Sequence, residues 1–335
     1  MSVSTKHVLQ QGPVIASLAH TAAMALRQRM GSMPTEAPST PTPAIEATIK
    51  PRPRELVRDY VRHVGGDPGA YKRVVPAHLF PQWGFPLAAR SLENLPYPLV
   101  KVLNGGCRLQ IDEQLPQGEP LQVRAWLEGI DDDGRRAVLH QRVVTGTAAS
   151  PEAVTADLYA IVPLGRPKDD GPTNGVRPSN GAAKKDKPRV PVDAEELARW
   201  KIRADAGLDF AKLTGDFNPV HWIRPYAKAF GFRSTILHGF STMARAIEGL
   251  NRNLFAGSIS AVRVFDCKFT RPLLLPARVG LYVKGHEVWV GVRPQWTARA
   301  AMMKEMSPTS MASSAQPMPD PRSSRRCFPV TGSLS

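Results

Sequence analysis

The sequence predicts an α+β protein made of two similar units, each with a helix packed against an antiparallel sheet. In each half, helical segments precede a series of short strand-like segments separated by turns. Between the halves, residues 165–191 are charged, rich in glycine and proline, and almost free of large apolar side chains. The chain of 335 residues is 42% hydrophobic, which is enough apolar material for two cores. A long helix wrapped by an antiparallel sheet is the simplest closed arrangement for each unit.

Residues 1–53 are predicted to form an N-terminal helix followed by a proline-rich arm. Val14 to Met30 is apolar early and basic late, which is the reverse of a secretory signal. This order predicts an amphipathic helix docked on the body of the protein, with a role at a membrane surface as the less favoured alternative. Gly31 to Pro53 is rich in Pro, Thr and Ser, and prolines at this density interrupt both helix and strand. We therefore expect this second stretch to be a linker or an extended arm.

Residues 54–164 are predicted to be the first unit. Arg54 to Gly65 is a helical or strand-like segment, and the apolar positions of Phe85 to Leu95 predict one short buried helix. Asp131 to Gly134 is typical of a hairpin turn. The predicted strands of the meander are Leu99 to Leu103, Cys107 to Ile111, Leu121 to Ile130, Ala137 to Thr145 and Ala153 to Val162.

Residues 192–292 are predicted to be the second unit, in the same order of elements. Apolar residues of Leu237 to Leu250 fall on one helical stripe, which predicts a longer helix. The other predicted helical segments are Asp209 to Leu213 and Tyr226 to Phe230, and the predicted strands are Trp200 to Ala204, Ile259 to Pro272, Ala277 to Lys284 and Glu287 to Val292. The tail, residues 293–335, has no strand or helix period, so we expect it to be disordered and to supply no further strand.

Charge and cysteine content narrow the function classes. The net charge of +15 is compatible with nucleic acid, a membrane surface, or a phosphorylated ligand such as coenzyme A or an acyl carrier. The basic residues are scattered or lie in predicted linkers, and no nucleic-acid-binding signature is present, so we expect no nucleic-acid partner. Cys107, Cys267 and Cys327 are far apart, which favours a reducing, cytoplasmic location over a disulfide framework. No dinucleotide fingerprint, metal-ligand spacing or bilayer-length apolar run is visible, so we expect no cofactor, no metal and no integral membrane segment.

One stretch, Leu213 to His221 (LTGDFNPVH), carries more usable chemistry than any other. Its turn can bring the Asp216 carboxylate and the His221 imidazole to face one space, where they could hold a water and move protons. Such a turn with a lone histidine is also ordinary structure, but the full ordered set favours a catalytic site. His238 and Gly239 then open the apolar helix, whose first N–H groups suit a developing enolate oxygen. Close helix packing is an equal explanation for Gly239, and a structural role is favoured for the His238 side chain.

These residues resemble the signature of the MaoC-like dehydratases, also called (R)-specific enoyl-CoA hydratases. The resemblance covers about residues 200–292, and the further matching positions are Ala227, Ala229, Gly231, Phe232, the FTRP stretch at Phe269 to Pro272, and Leu275 with Pro276. It implies a double hot-dog fold and the reversible syn hydration of trans-2-enoyl thioesters to (R)-3-hydroxyacyl thioesters in fatty-acid metabolism.

Carried over residue by residue, the resemblance implies that Asp216 and His221 are the catalytic pair and that Asn218 supports them. It also implies that Gly239 lies at the helix that donates to the thioester oxygen. The first half has Gly66 to Gly69 (GDPG) but no Asp-x-Asn-Pro-x-His. We therefore expect one site per chain, with a degenerate first unit that houses the acyl chain.

Two other functions stay open at this point. The chain could be a non-catalytic subunit that binds acyl thioesters, or a hot-dog thioesterase, although thioester hydrolysis needs no water-holding pair at the β-carbon. The expected partner is an acyl-CoA or acyl-carrier thioester. Because hot-dog sheets pair edge to edge, the two halves could act as an internal dimer, and a homodimer is a further expectation.

Overall fold

The computed structural model describes residues 3–17, 19–20, 34–99, 102–164, 189–292 and 331–334. Residues 12–17 and 19–20 are helical, which agrees with the start of the predicted N-terminal helix. The remainder of that helix, most of the predicted linker and most of the tail lie outside the described residues. No helix in the described part of the chain is both long and apolar enough to cross a bilayer.

The chain contains two comparable sets of elements, in each of which the helices come early and a run of strands follows. From residue 45 onward the α-helices are α1 (Arg54–Val64), α2 (Pro81–Ser91), α3 (Ala206–Thr214), α4 (Arg224–Ala229) and α5 (Gly239–Asn253). The strands of the first set are β1 (Ile45–Ile49), β2 (Val74–Val75), β3 (Leu103–Ile111), β4 (Leu115–Pro116), β5 (Leu121–Asp132), β6 (Arg136–Gly146) and β7 (Val154–Pro163). Those of the second are β8 (Glu195–Ile202), β9 (Ile236–Leu237), β10 (Val264–Lys268), β11 (Leu273–Leu274), β12 (Ala277–Lys284), β13 (Glu287–Gly291) and β14 (Thr331–Leu334).

A single ten-stranded sheet joins the two sets in the order β1-β5-β6-β7-β3-β10-β14-β13-β12-β8. All its pairings are antiparallel, and β3 against β10 is the seam between the halves. Cys107 and Cys267 face each other across this seam as free, buried thiols. The halves therefore pair edge to edge within one chain, which is the arrangement expected of an internal dimer.

Helices α2 and α5 both pack apolar side chains into the main core beside the sheet. The predicted stripe of α5 is buried as expected: its members are Phe240, Met243, Ala244, Ile247 and Leu250. Phe240 also meets α2, with its ring centroid 5.1 Å from that of Phe85. In α2, the buried Trp83 indole donates a hydrogen bond to the Thr145 hydroxyl of β6 at 3.1 Å. The two central helices thus share one core.

In the first half the hairpin is confirmed, whereas three other predictions are wrong. β5 and β6 pair around Gly134, whose φ of +75° explains the glycine. The predicted strand Leu99 to Leu103 is absent from the described residues before Leu103, where β3 begins. The proline-rich arm contains strand β1, which the prolines on either side concealed; β1 is an edge strand, where neighbouring prolines are tolerated. Helix α2 begins at Pro81, four residues before the predicted start, because proline is well suited to a first helical turn.

In the second half α3 and β8 are longer than predicted, and the predicted strand Ile259 to Pro272 is reduced to the five residues of β10. The prediction that the tail supplies no strand is also wrong. Residues 331–334 form β14, whose backbone pairs antiparallel with β10 on one side and β13 on the other. Four residues are too few to show a period, so only the gap between β10 and β13 identifies the strand.

Candidate active site

The site is built on the turn that follows α3. This helix ends at Gly215, whose φ of +84° is the left-handed conformation that glycine adopts most easily at a helix end. The Gly215 N–H donates to the Ala211 carbonyl at 2.7 Å, so the helix closes and the chain reverses immediately before Asp216. The Asp216 carboxylate is consequently held at the end of a rigid element, with its side chain one-fifth exposed.

Asn218 shapes the turn between Asp216 and His221. Its side-chain oxygen accepts a hydrogen bond from the Val220 N–H at 3.3 Å and caps the short 3-10 helix Pro219–His221. Its own N–H donates to the Asp216 carboxylate at 3.3 Å. The Asn218 side chain is exposed, so these contacts give it a local role in setting the turn.

His221 has one ring nitrogen engaged. Its Nδ1 lies 2.8 Å from the Ile236 carbonyl oxygen, which can only accept, so Nδ1 carries the proton. In the neutral ring this leaves Nε2 as a lone-pair acceptor. The His221 ring is thus fixed in one orientation with Nε2 available for proton transfer.

His238 lies directly against His221 and is part of the site. The ring centroids are 3.6 Å apart, and the ring planes differ by 25°. His238 Nε2 donates to the Asp216 backbone carbonyl at 3.0 Å, so this histidine holds both the imidazole and the backbone of the acidic residue. Burial, reinforced by the neighbouring His221, lowers the pKa of His238 to about 3. The ring is therefore neutral at physiological pH.

The ligating atoms of Asp216, His221 and His238 lie within 4.8 Å of one another. One carboxylate and two imidazoles are side chains of the kinds that bind metal ions. The two imidazoles are stacked, however, so their in-plane lone pairs run side by side and do not converge on one point. A carboxylate and a free Nε2 at this separation suit a bound water and proton transfer better.

Helix α5 begins at this cluster. Its first internal hydrogen bonds are donated by Ser241 and Thr242 to the His238 carbonyl, so the N–H groups of Gly239 and Phe240 have no acceptor within the helix. The Phe269 ring covers Gly239 so closely that a Cβ there would lie 3.0 Å from it. A side chain at this position would therefore press on the Phe269 ring, and the Gly239 N–H also stands at the positive end of a 15-residue helix.

Asp216, Asn218, His221 and Gly239, all singled out from the sequence, occur in this one region. His238 was predicted to be structural, and its stacking on His221 could not be read from a spacing of 17 residues. In the first half, Asp67 only caps a short 3-10 helix by accepting from the Gly69 N–H at 2.8 Å, and among the described residues no second group of three or more His, Cys, Asp or Glu side chains comes together as closely.

Comparison with known proteins identifies the family of the second half. Residues 184–295 match the family described as MaoC like domain. The 3-hydroxyacyl-thioester dehydratase X of Mycobacterium tuberculosis is 39% identical over 99 residues, which are 29% of this chain and 32% of that protein. The peroxisomal enoyl-CoA hydratase 2 of Arabidopsis thaliana is 26% identical over 187 residues, which are 53% of this chain and 58% of that protein. The chain thus spans less than two thirds of either relative.

The fold agrees with these matches. A crystal structure of a MaoC-like dehydratase from Phytophthora capsici aligns with a TM-score of 0.58 at 16% identity, over 74% of this chain and 88% of that one. At this identity the likeness shows the fold alone. The predicted resemblance and the predicted fold class are both confirmed: the chain carries a MaoC-like dehydratase domain in its second half, within a double hot-dog fold.

Proposed function

We propose that the protein catalyses the reversible hydration of trans-2-enoyl thioesters to (R)-3-hydroxyacyl thioesters. The observation that carries the proposal is the placement of Asp216 and His221 in one cluster beside the free N–H groups that open α5. Two relatives support it by name, because one is called an enoyl-CoA hydratase and the other a 3-hydroxyacyl-thioester dehydratase.

The chemistry follows from the contacts. Water adds its hydroxyl to the β-carbon and a proton to the α-carbon, so one group must take a proton and another must give one. The Asp216 carboxylate and His221 Nε2 hold the water between them, and because they are coupled they share these two tasks. Dehydration uses the same pair in reverse. Asn218 sets the distance between the two through the turn that it caps.

The thioester oxygen gains negative charge as water adds to the β-carbon. The N–H of Gly239, at the positive end of α5, is the donor that we assign to this oxygen. Phe269 lies against Gly239 and must move or share this space with the thioester. Next to it, the rings of Phe85 and Phe240 form an aromatic contact between α2 and α5, and we place the start of the acyl chain against these rings.

An enoyl-CoA hydration assay across chain lengths, with chiral analysis of the product, tests the proposal. Loss of the enoyl absorbance with formation of the (R)-3-hydroxyacyl-CoA is expected. The thioesterase alternative is tested by incubating the protein with saturated acyl-CoA and a reagent that detects free thiols, since only a thioesterase releases free CoA. Acyl-CoA binding by folded protein without either reaction would instead select the non-catalytic subunit.

The substrate carrier, the location and the oligomeric state are further parts of the proposal. An acyl-CoA thioester is the substrate that the relatives' names favour; an acyl-carrier thioester is the alternative. The three widely spaced cysteines suit a reducing compartment, for which we propose the cytoplasm. A homodimer is a further proposal, and β1 and β8, the outermost strands of the sheet in the described part of the chain, are the edges that could form it.

A further inference from the structure

The N-terminal segment, defined here as residues 3–14, lies along α3. Its backbone N–H at Val3 donates to the Asp209 carboxylate at 3.1 Å. The Lys212 ammonium donates back to the Val3 carbonyl at 3.1 Å. Asp209 is buried and also accepts from Arg203 at 2.6 Å, so its charge is compensated. The segment is therefore anchored to the helix that precedes the candidate active site.

Gln11 is the point at which this segment meets the end of α3. The residue is fully buried, and its Nε2 donates to the carbonyl oxygens of Lys212 at 3.1 Å and Leu213 at 2.9 Å. Both carbonyls belong to the last helical turn, where backbone acceptors have no partner within the helix. Gly215 satisfies the Ala211 carbonyl of the same turn. Gln11 thus completes a cap that ends three residues before Asp216.

The other end of the Gln11 amide connects this cap to the first half. Its Oε1 accepts from Gln82 Nε2 at 3.0 Å, and Gln82 Oε1 accepts from the Arg52 guanidinium at 2.8 Å. Gln82 lies in the first turn of α2. In each of the two glutamines the amide nitrogen donates and the amide oxygen accepts, so all the hydrogen bonds run in the same direction, towards α3. The buried chain therefore fixes the Gln11 side chain in one orientation.

Val14 packs against the same helix end at Gly215. It is 2% exposed, and a Cβ built at Gly215 would lie 2.6 Å from the Val14 Cβ. Gln11 and Val14 therefore contact consecutive parts of the chain immediately before the acidic residue. Movement of the N-terminal segment would release the end of α3 and with it the Asp216 turn.

We propose that Gln11 is a positioning residue that holds Asp216 at its working distance from His221 by capping the end of α3. The inference rests on the proposed hydration. Gln11 touches neither the water nor the thioester in this account, and its effect passes through the backbone of residues 212–216. A displacement of about 1 Å in a catalytic group can lower a rate by about a hundredfold, so loss of the cap is expected to act on turnover.

The test compares Gln11→Met with Gln10→Met in the full-length protein. Gln10 is exposed, so the two substitutions are alike except for the buried contacts. For Gln11→Met we expect kcat to fall by about tenfold to a hundredfold, with KM changed by less than about threefold. For Gln10→Met we expect both constants to stay near wild type. Assays run well below the unfolding midpoint separate turnover from a lower free energy of unfolding.

A second variant, Gln11→Glu, tests the donor role. A protonated carboxyl can donate to one of the two α3 carbonyls, whereas a carboxylate can only accept. The ratio of its kcat to that of wild type should therefore fall as pH rises. The ratio for Gln11→Met should stay low at every pH, because methionine has no donor. Because ionisation of a buried carboxyl also weakens the fold as pH rises, the free energy of unfolding is measured at each pH, and only protein that remains folded is compared.

Amide hydrogen exchange of residues 214–221 gives a readout that does not depend on activity. Exchange there should be at least about tenfold faster in Gln11→Met than in Gln10→Met, because the cap is lost. Wild-type kcat in folded Gln11→Met, or unchanged exchange, would overturn the positioning role. If the wild-type protein shows no hydration, the proposed function fails by itself, and the exchange comparison still decides whether Gln11 holds the turn.

Discussion

The imidazole of His238 is stacked on that of His221, with ring centroids 3.6 Å apart. Two imidazoles in such contact are difficult to charge together, and His238 is the one buried away from water. Its neutral ring serves as a platform, and its Nε2 holds the Asp216 backbone. In the proposed hydration, His221 is then the imidazole of this pair that contributes Nε2, because its Nδ1 already donates to the Ile236 carbonyl.

The first prediction concerns acid stability. Because the pKa of His238 is about 3 in the folded protein against about 6.5 when unfolded, the unfolded state binds a proton in this window and the folded state does not. The free energy of unfolding should therefore fall as pH decreases from 7.5 to 5, by about 2 kcal/mol from this residue. His238→Gln should lack this part of the loss, as measured by urea unfolding at both pH values.

His286→Gln, exposed at the β12–β13 turn, is the matched control for loss of an imidazole. Burial also lowers the pKa of His63, so the pH dependence should be reduced in His238→Gln and not abolished. Equal pH dependence in wild type and His238→Gln would contradict the assignment of a neutral, buried His238.

The second prediction concerns Gly215. Alanine there must adopt a φ of +84° and would also meet Val14, so we expect Gly215→Ala to lower the free energy of unfolding by about 2 to 4 kcal/mol. Gly257→Ala is the control, because Gly257 has a φ of +85° with open space around it. It should cost about 1 kcal/mol. If chemical unfolding shows the same loss of free energy for Gly215→Ala and Gly257→Ala, then Val14 does not pack against the turn as described.

The third prediction concerns a buried polar network between the halves. Glu248 of α5 is 1% exposed and accepts from the Tyr71 hydroxyl at 2.6 Å and from His78 Nε2 at 2.9 Å. Tyr71→Phe removes one donor from a buried carboxylate and should cost about 1 to 3 kcal/mol of unfolding free energy. Tyr226→Phe, at an exposed hydroxyl, should stay within about 0.5 kcal/mol of wild type. An unchanged free energy of unfolding in Tyr71→Phe would show that this hydrogen bond does not stabilise the fold.

Much of the fold could be predicted because the sequence patterns that indicate it are local. The stripe of α5 repeats at helical spacing, and the Asp131 to Gly134 turn marks the β5–β6 hairpin. β1 and β14 were missed for a different reason: each is recognised by the strand beside it, since β1 lies between prolines and β14 is four residues long. Strand identity here depends on partners far away in the sequence.

Some residues of the site could likewise be predicted from the local sequence, whereas others could not. Asp216, Asn218 and His221 lie within six residues, so one turn brings them together and a motif can predict them. The contribution of His238 depends on ring stacking, and that of Gln11 depends on a helix about 200 residues further along the chain. Nothing in the local sequence distinguishes the buried Gln11 from the exposed Gln10. Such contacts appear only when the halves are assembled.

The most direct test of the central claim is the kcat for crotonyl-CoA hydration by Asp216→Asn, beside Asp67→Asn. Both changes replace a carboxylate with an amide in a Gly-Asp turn, and asparagine can still cap at either position. We expect Asp216→Asn to lose at least about a hundredfold in kcat while remaining folded, as does His221→Ala, whereas Asp67→Asn should keep wild-type turnover. Near-wild-type hydration by folded Asp216→Asn would contradict the claim.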